Sequence, residues 1–485
     1  MNRRTMHTDN ISTSSNSAIL TFWEHTQIFS LCGVLLFLPV SIAFTDICLA
    51  ILFLTYLAEI IRTKHIAWPP NPFTRPFLVY GLITLISTIF SVNRGKSVYN
   101  LTNLNDLAVF FLFYLALQNT QRIKKGSTLL LVSVTIAASY GILQHYIEVD
   151  LFRLTQPIGL LKHLHNDLSA PLRISGFSSY MTFGGQLGMA VPIIFAFVSG
   201  IKNRFSRGLW GLALLICSLA LLWTYTRSAW LGAVGAILVI GTLQHKRKFL
   251  IDALCFLLLV GGGIAFLSFT QGLSPEQSFQ AQQAKSSSTG QAEQTDQPKL
   301  PARVQSSSSN SQKILERIAS IFRTKDNQER LYTWLSSLAM IRDHPLTGIG
   351  HGNYSAECWN YRTPYKDFNF SSDAHAHNNI LQVTVISGIP ALCCFLWIWW
   401  IVFRSTYRSF RLIPTQFPRE KALALGIFGA TIAFFIQGFF EHNFGDSEVV
   451  TMLWALVAFS MRLQELHRPI HYNASESRPN SCSQS

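Results

Sequence analysis

The chain has 485 residues, of which 49% are hydrophobic, 13% aromatic and only 13% charged, with a mean hydropathy of +0.27. Soluble domains carry about a quarter of their residues charged, so an ordinary soluble fold is excluded and a polytopic membrane protein is implied. The net charge of +14 does not indicate a nucleic-acid partner, because the basic residues sit in short clusters between apolar runs and form no stripe or tail.

Residues 1–26 are polar, rich in Ser, Thr and Asn, and are expected to form a cytoplasmic N-terminus. The first apolar stretch has no small-residue cleavage pattern, which predicts an uncleaved anchor. Runs long enough to cross a hydrocarbon layer of about 30 Å follow at 27–43, 46–62, 77–91, 104–119, 127–147, 180–199, 208–224, 228–243 and 249–270. The first two meet around Pro39 and Asp46, where one hairpin-like unit is the alternative to two separate spans. The segment 271–312 is rich in Gln, Ser and Pro and holds almost no large apolar residue. It is expected to be a disordered insertion, since it buries too little surface to offset its chain entropy.

Within the loop 313–379, residues 313–343 become helical in pattern: Leu331, Trp334, Leu335, Leu338 and Ile341 recur at helical spacing, predicting an amphipathic helix against the outer membrane face of the bundle. HPLTGIGHGN ends it, because Pro345 and the glycines at 348, 350 and 352 favour turns. Spans at 380–403, 422–440 and 447–463 follow, and 464–485 is a polar tail expected in the cytoplasm. The predicted fold is an all-α polytopic membrane protein of about twelve transmembrane helices, nine in 27–270 and three in 380–463, with one long periplasmic loop containing an amphipathic helix.

Loop charge supports that topology. With both termini cytoplasmic, the cytoplasmic segments carry the clusters Arg62, Lys64 and Arg75; Arg122, Lys124 and Lys125; Lys202, Arg204 and Arg207; Lys246, Arg247 and Lys248; and Arg404, Arg408, Arg411, Arg419 and Lys421. The short loops of the other side hold only Arg94, Lys96, Arg153, Lys162, Arg173 and Arg227, the asymmetry of a positive-inside protein. The long loop is exempt from this bias. Of the eight cysteines, Cys32, Cys48, Cys217, Cys255, Cys393 and Cys394 lie in apolar runs, so no disulfide framework is implied.

The outer layer collects the unusual polar groups: Arg173 after HLHND, Arg227 in the turn YTRSAW, Arg330 on the amphipathic helix, His375 and His377 in SSDAHAHNN, and EHNFGDSE at 441–448. Each has a bland alternative. Arg227 is placed to snorkel to headgroups, and Asn378 to cap the next helix. In an extended strand His375, His377 and Asp373 share a face and suggest a metal site, but no clean spacing supplies further ligands, with His163, His165 and His351 all unspecific. A neutral His beside a water-filled cleft is instead suited to take a proton from a hydroxyl.

TYTRSAWLGAVGAILVI, ERLYTWLSSLAMIRDHPLTGIGHGNY, HAHNNILQVTVISGIPAL and FEHNFGDSEVVTMLW, in that order, resemble the bacterial O-antigen ligase superfamily, which includes O-antigen polymerases and protein O-oligosaccharyltransferases. The resemblance covers roughly 170–465. It implies a periplasmic-face, metal-independent glycosyltransferase that moves a glycan from an undecaprenyl-pyrophosphate carrier to a hydroxyl acceptor, in the ligases a sugar of the lipid A core. It also implies an inner-membrane location. Carried over by motif, the catalytic residues are Arg227, Arg330 and His377, with no cofactor and no metal.

Arginines suit a leaving pyrophosphate because guanidinium groups grip two oxygens and stabilise growing negative charge. Arg173 is a third candidate for that grip. His375, Asn378, Glu441 and His442 are expected beside substrate, with Glu441 or Asp373 as the carboxylate that orients a histidine. Polymerase and protein transferase are the alternatives within the family. A transporter for a lipid-linked glycan is the alternative outside it, although the expected midplane charges and internal repeats of such proteins are not evident.

Overall fold

The structure is a computed structural model that describes residues 6–64, 71–152, 173–245, 328–361 and 375–467. Among these there are fourteen α-helices and no strand. They are α1 (Met6–Phe37), α2 (Ile42–Thr63), α3 (Thr74–Ile89), α4 (Arg94–Tyr99), α5 (Asn105–Ala116), α6 (Thr120–Ile147), α7 (Tyr180–Gly200), α8 (Arg204–Trp223), α9 (Arg227–His245), α10 (Gln328–Asp343), α11 (Tyr354–Tyr361), α12 (Asn379–Leu412), α13 (Pro418–Gln437) and α14 (Ser447–Leu466). Eight are long and apolar enough to cross a membrane: α2, α6, α7, α8, α9, α12, α13 and α14. α3 and α5 are shorter apolar helices. The chain is a polytopic all-α membrane protein. The expected span at 249–270, the insertion 271–312 and the start of the amphipathic helix lie outside the described residues.

Around Pro39 the chain makes a turn between two helices that pack on each other. Pro cannot continue α1's hydrogen-bond ladder, and Ser41 in extended conformation starts α2. The bundle centre is α13, which packs along α7, α9 and α12, with α14 beside it. Phe183, Phe197, Phe434, Trp454 and Phe459 are fully buried there. Lipid is as apolar as these side chains, so close fit holds the helices together.

α12 is broken once, and the break organises the outer layer. Gly388 has φ 78° and ψ 176°, a conformation open to glycine alone. A Cβ there would lie 2.3 Å from the Leu346 carbonyl oxygen. The interrupted ladder frees the carbonyls of Val385 and Ile386, which accept hydrogen bonds from Ile349 N (2.9 Å) and Gly350 N (3.0 Å), while Ile389 N donates to the Pro345 carbonyl (2.8 Å). HPLTGIG is thereby clasped into the kink, and its glycines at 348 and 350 take φ of +66° and +88°, with Gly352 just beyond at +76°. Gly388→Ala is expected to cost about 1–3 kcal/mol, read as a lowered thermal midpoint in detergent.

A second small core, Met340, Ile349, Tyr354, Cys358, Ala376 and Val385, sits under this clasp. α10 packs on it through Thr333, Ser336, Ser337 and Met340, whereas Leu331 and Leu338 of the expected apolar stripe are exposed. The small hydroxyl side chains allow close approach, and Ser337 Oγ lies 2.7 Å from the Tyr354 hydroxyl. The periodicity of α10 was legible, but its protein-facing side is the polar one.

Candidate functional site

The site is built where α12 begins. His377 is held at φ +47°, in the left-handed region that disfavours side-chain-bearing residues. Its neighbours fix that backbone. Ala376 N donates to Gln382 Oε1 (2.8 Å), and the Ala376 carbonyl accepts from Trp334 Nε1 of α10 (3.1 Å). Asn378 then caps α12, its Oδ1 accepting from Ile380 N (2.8 Å) and Leu381 N (3.1 Å), while its Nδ2 donates to the Phe439 carbonyl (3.0 Å).

The loop 438–446 between α13 and α14 closes over this turn. Asn379 N donates to the Gly438 carbonyl (2.7 Å), and Asn379 Oδ1 accepts from Phe444 N (3.1 Å). With that oxygen assigned as acceptor, His442 Nδ1 at 3.2 Å must be the donor. His442 thereby ties the 438–446 loop to Asn379. Glu441, 5% exposed, faces His377 with Oε1 2.9 Å from Nδ1. Its other oxygen lies 3.7 Å from the Arg330 guanidinium of α10. Burial pushes the Glu441 carboxyl up, but the hydrogen bond from His377 and the charges of His377, His375 and Arg330 outweigh it and hold it below the ordinary carboxylate range.

These contacts assign the two histidines different tautomers. A carboxylate accepts only, so His377 Nδ1 carries a proton, and in the neutral ring Nε2 holds the lone pair. His375 Nδ1 accepts from His377 N (3.3 Å), which leaves its proton on Nε2. The rings meet edge on, with centroids 4.3 Å apart. His375, His377 and Glu441 also bring ligand atoms within 4.8 Å of one another, and they are the group that could hold a metal among the described residues. Among the described residues a third candidate ligand, which spacing did not supply, comes from 64 residues away as Glu441; Asp373, His163 and His165 lie outside the described residues.

The arginines separate by role. Arg227 opens α9 after Tyr225, a second non-glycine residue held left-handed, at φ +51°. Arg173 holds that turn: its Nε donates to the Thr224 carbonyl (2.9 Å), and its terminal nitrogen to the Tyr225 carbonyl (3.3 Å) and Thr226 Oγ1 (3.4 Å). Its guanidinium stacks 3.5 Å over the Tyr180 ring. Arg173, expected to meet substrate, holds the turn before Arg227 through these contacts. Thr182 Oγ1 donates to Asp446 Oδ2 (2.5 Å), which joins this turn's support to the loop carrying Glu441. Arg173→Ala is expected to slow turnover while Arg173→Lys restores little, since lysine lacks the planar fork. A kcat and KM measurement on both variants checks this.

Residues 212–396 match the family model described as O-Antigen ligase. The matched segment is similar to the O-antigen ligase family and spans well under half of the chain. The matched segment contains Arg227, Arg330, His375 and His377, whereas Glu441 and His442 lie beyond it. Members of that family are membrane glycosyltransferase-type enzymes, and the match together with the long apolar helices supports a role in polysaccharide biosynthesis at a membrane. No curated protein matches the chain at a significant level.

Sequence reasoning passed over Gln382 and Asn379, polar residues near the start of an apolar run whose burial is their signal. Burial of imidazoles also predicts a pH response. Burial, reinforced by His375, pushes the His442 pKa down to about 3, and burial pushes His351 down to about 4, from 6.5. Between the unfolded and folded values the unfolded chain binds more protons, so stability falls as pH drops through that window. Glu441, depressed from 4.5, keeps its contribution until lower pH. The thermal midpoint in detergent is expected to be lower at pH 5 than at pH 7.5, with a smaller difference in His442→Gln.

Proposed function

We propose that the chain is an O-antigen ligase-type glycosyltransferase of the bacterial inner membrane, acting on its periplasmic face and moving a glycan from undecaprenyl pyrophosphate to a hydroxyl of a lipid A-core sugar. The observation that carries this reading is the His377–Glu441 pair: a buried carboxylate holds Nδ1 and orients the imidazole, so that in the neutral ring Nε2 carries the lone pair that takes the proton of a substrate hydroxyl. The arginines Arg330 and Arg227 begin helices or stand on them beside this layer and supply fixed positive charge for a leaving pyrophosphate.

The reaction balances without a further reactant. The acceptor hydroxyl gives its proton to His377 Nε2 as its oxygen attacks the anomeric carbon. The carbon–oxygen bond to the pyrophosphate breaks, and undecaprenyl pyrophosphate leaves with the electron pair against the guanidinium groups. One direct displacement inverts the anomeric configuration. Glu441 joins the two halves of the site, because its oxygens serve His377 and Arg330 respectively. As Arg330 turns to a bound pyrophosphate, the carboxylate is left to His377 and strengthens it as a base. Arg173 acts through the Arg227 turn, Asn378 and His442 act through the loop architecture, and His375 lies at the acceptor side.

Both termini and the basic loops are assigned to the cytoplasm by loop charge. The cleft between α2, α5 and α14 is an unsuitable pyrophosphate site, since Asp46, Asp106 and Glu448 line it. The test supplies purified protein with a lipid-linked glycan and rough lipopolysaccharide, with and without a chelator. Transfer that survives the chelator supports the reading, and loss of transfer with the chelator overturns its metal independence. Preference for a short-chain glycan or a pilin-like protein over lipopolysaccharide assigns polymerase or protein transferase instead.

A further inference from the structure

At the end of the bundle opposite His377, α6, α8 and the α7–α8 turn line a cleft of about 740 Å³. Its depth is apolar: Val132 and Ile136 of α6 and Leu209 and Leu212 of α8 line it and remain 43–60% exposed. Its mouth is basic. Lys202 in the α7–α8 turn and Arg419 at the start of α13 flank the opening, with Ser206 and Thr128 as hydroxyls between them.

The charges are available to an anion. Arg419 donates one bond to Thr128 Oγ1 (2.7 Å), and a guanidinium has five N–H donors. The nearby carboxylate of Glu420 is engaged by Lys124 at 2.6 Å. No carboxylate lines the cleft among the described residues, in contrast to the cleft that Asp46, Asp106 and Glu448 line at the other end. The first amide groups of α8 are taken by the Asn203 side chain, which accepts from Phe205 N and Ser206 N. The grip on an anion therefore comes from side chains.

We infer that this cleft binds a diacyl phospholipid with an anionic head group, its acyl chain between α6 and α8 and its phosphodiester between Lys202 and Arg419. Apolar depth, basic mouth and position at the most basic end of a membrane bundle together select that occupant, because anionic lipids are drawn to basic pockets between membrane helices. A zwitterionic lipid fits the same depth but adds an ammonium group against two cations. A polyprenyl phosphate shares the phosphate chemistry but carries one long methyl-branched chain in place of two acyl chains.

The test is native mass spectrometry of the full chain in detergent with added phosphatidylglycerol, phosphatidylethanolamine of the same acyl chains, and undecaprenyl phosphate. Phosphatidylglycerol is expected to be retained preferentially. R419Q is expected to reduce its retention about fivefold, the effect of one interfacial charge, and K202E, a change of two charges, by more, while both leave phosphatidylethanolamine unchanged. A213F, which fills the cleft, is expected to displace both. Lys202 is exposed in a turn, so K202E retains the fold and its gel-filtration profile checks this. Equal retention of the two phospholipids, preference for undecaprenyl phosphate, or retention untouched by K202E and A213F overturns the inference. Glycan transfer is measured separately, and its outcome does not bear on this site.

Discussion

Replacing His377 with alanine is expected to reduce glycan transfer by about 10²–10⁴-fold, the range that a positioned general base contributes. The loss should fall on kcat with little change in the KM for the lipid-linked donor, because Nε2 is proposed to meet the acceptor and not the pyrophosphate. Stability should change little in comparison. The His377 ring is about one-fifth exposed (21%), and the α12 cap belongs to Asn378. Transfer by the variant at the wild-type rate, measured on protein with an unaltered gel-filtration profile, would remove His377 from the mechanism. His375→Ala is the matched control. Its Nδ1 accepts a backbone hydrogen bond, so it is expected to do less damage than His377→Ala.

Glu441→Gln is expected to lower turnover nearly as far, by as much as about 10⁴-fold if the tautomer is decisive, as in the equivalent exchange within serine protease triads. The amide has the volume of the carboxylate but turns a donor toward His377 as readily as an acceptor. Where its nitrogen faces Nδ1, the proton moves to Nε2 and the lone pair points away from the acceptor. The negative charge that stabilises the protonated imidazole is also lost. The two causes separate by pH. With the carboxylate in place, the alkaline plateau of kcat extends down to lower pH only as far as His377 remains unprotonated. Loss of the carboxylate makes the imidazole a weaker base, so the acid limb in the variant should move to lower pH. An unchanged limb with a uniform loss would assign Glu441 to packing alone.

The membrane class, most helical segments and the motifs were legible because each rests on local composition. A run such as 380–403 is apolar whatever its neighbours, and the kink at Gly388 leaves that run intact. Motifs in chain order single out Arg227, Arg330 and His377 as candidates, but not their partners. Glu441 and Asp373 were equal candidates for the carboxylate, and only the return of α13 past α12 brings Glu441 to 2.9 Å from His377. Arg173 was grouped with the phosphate-binding arginines on charge, yet its guanidinium meets carbonyl groups of the 224–226 turn. Charge is a property of the residue, whereas the use of a charge depends on which acceptors the fold presents.

The same distinction runs through the molecule. Hydropathy and loop charge alone determined an all-helical membrane protein with its unusual polar groups gathered in one layer, because insertion into lipid depends on segment-scale apolarity. The tertiary structure decided which face of α10 packs, how HPLTGIG is clasped by α12, and which nitrogen of each histidine carries its proton. Those features depend on hydrogen bonds between groups far apart in the chain, such as Ser87 Oγ to the Ile386 carbonyl across 299 positions. A hydrogen bond requires its partners within about 3 Å, and no pattern of residue types along one segment specifies that separation.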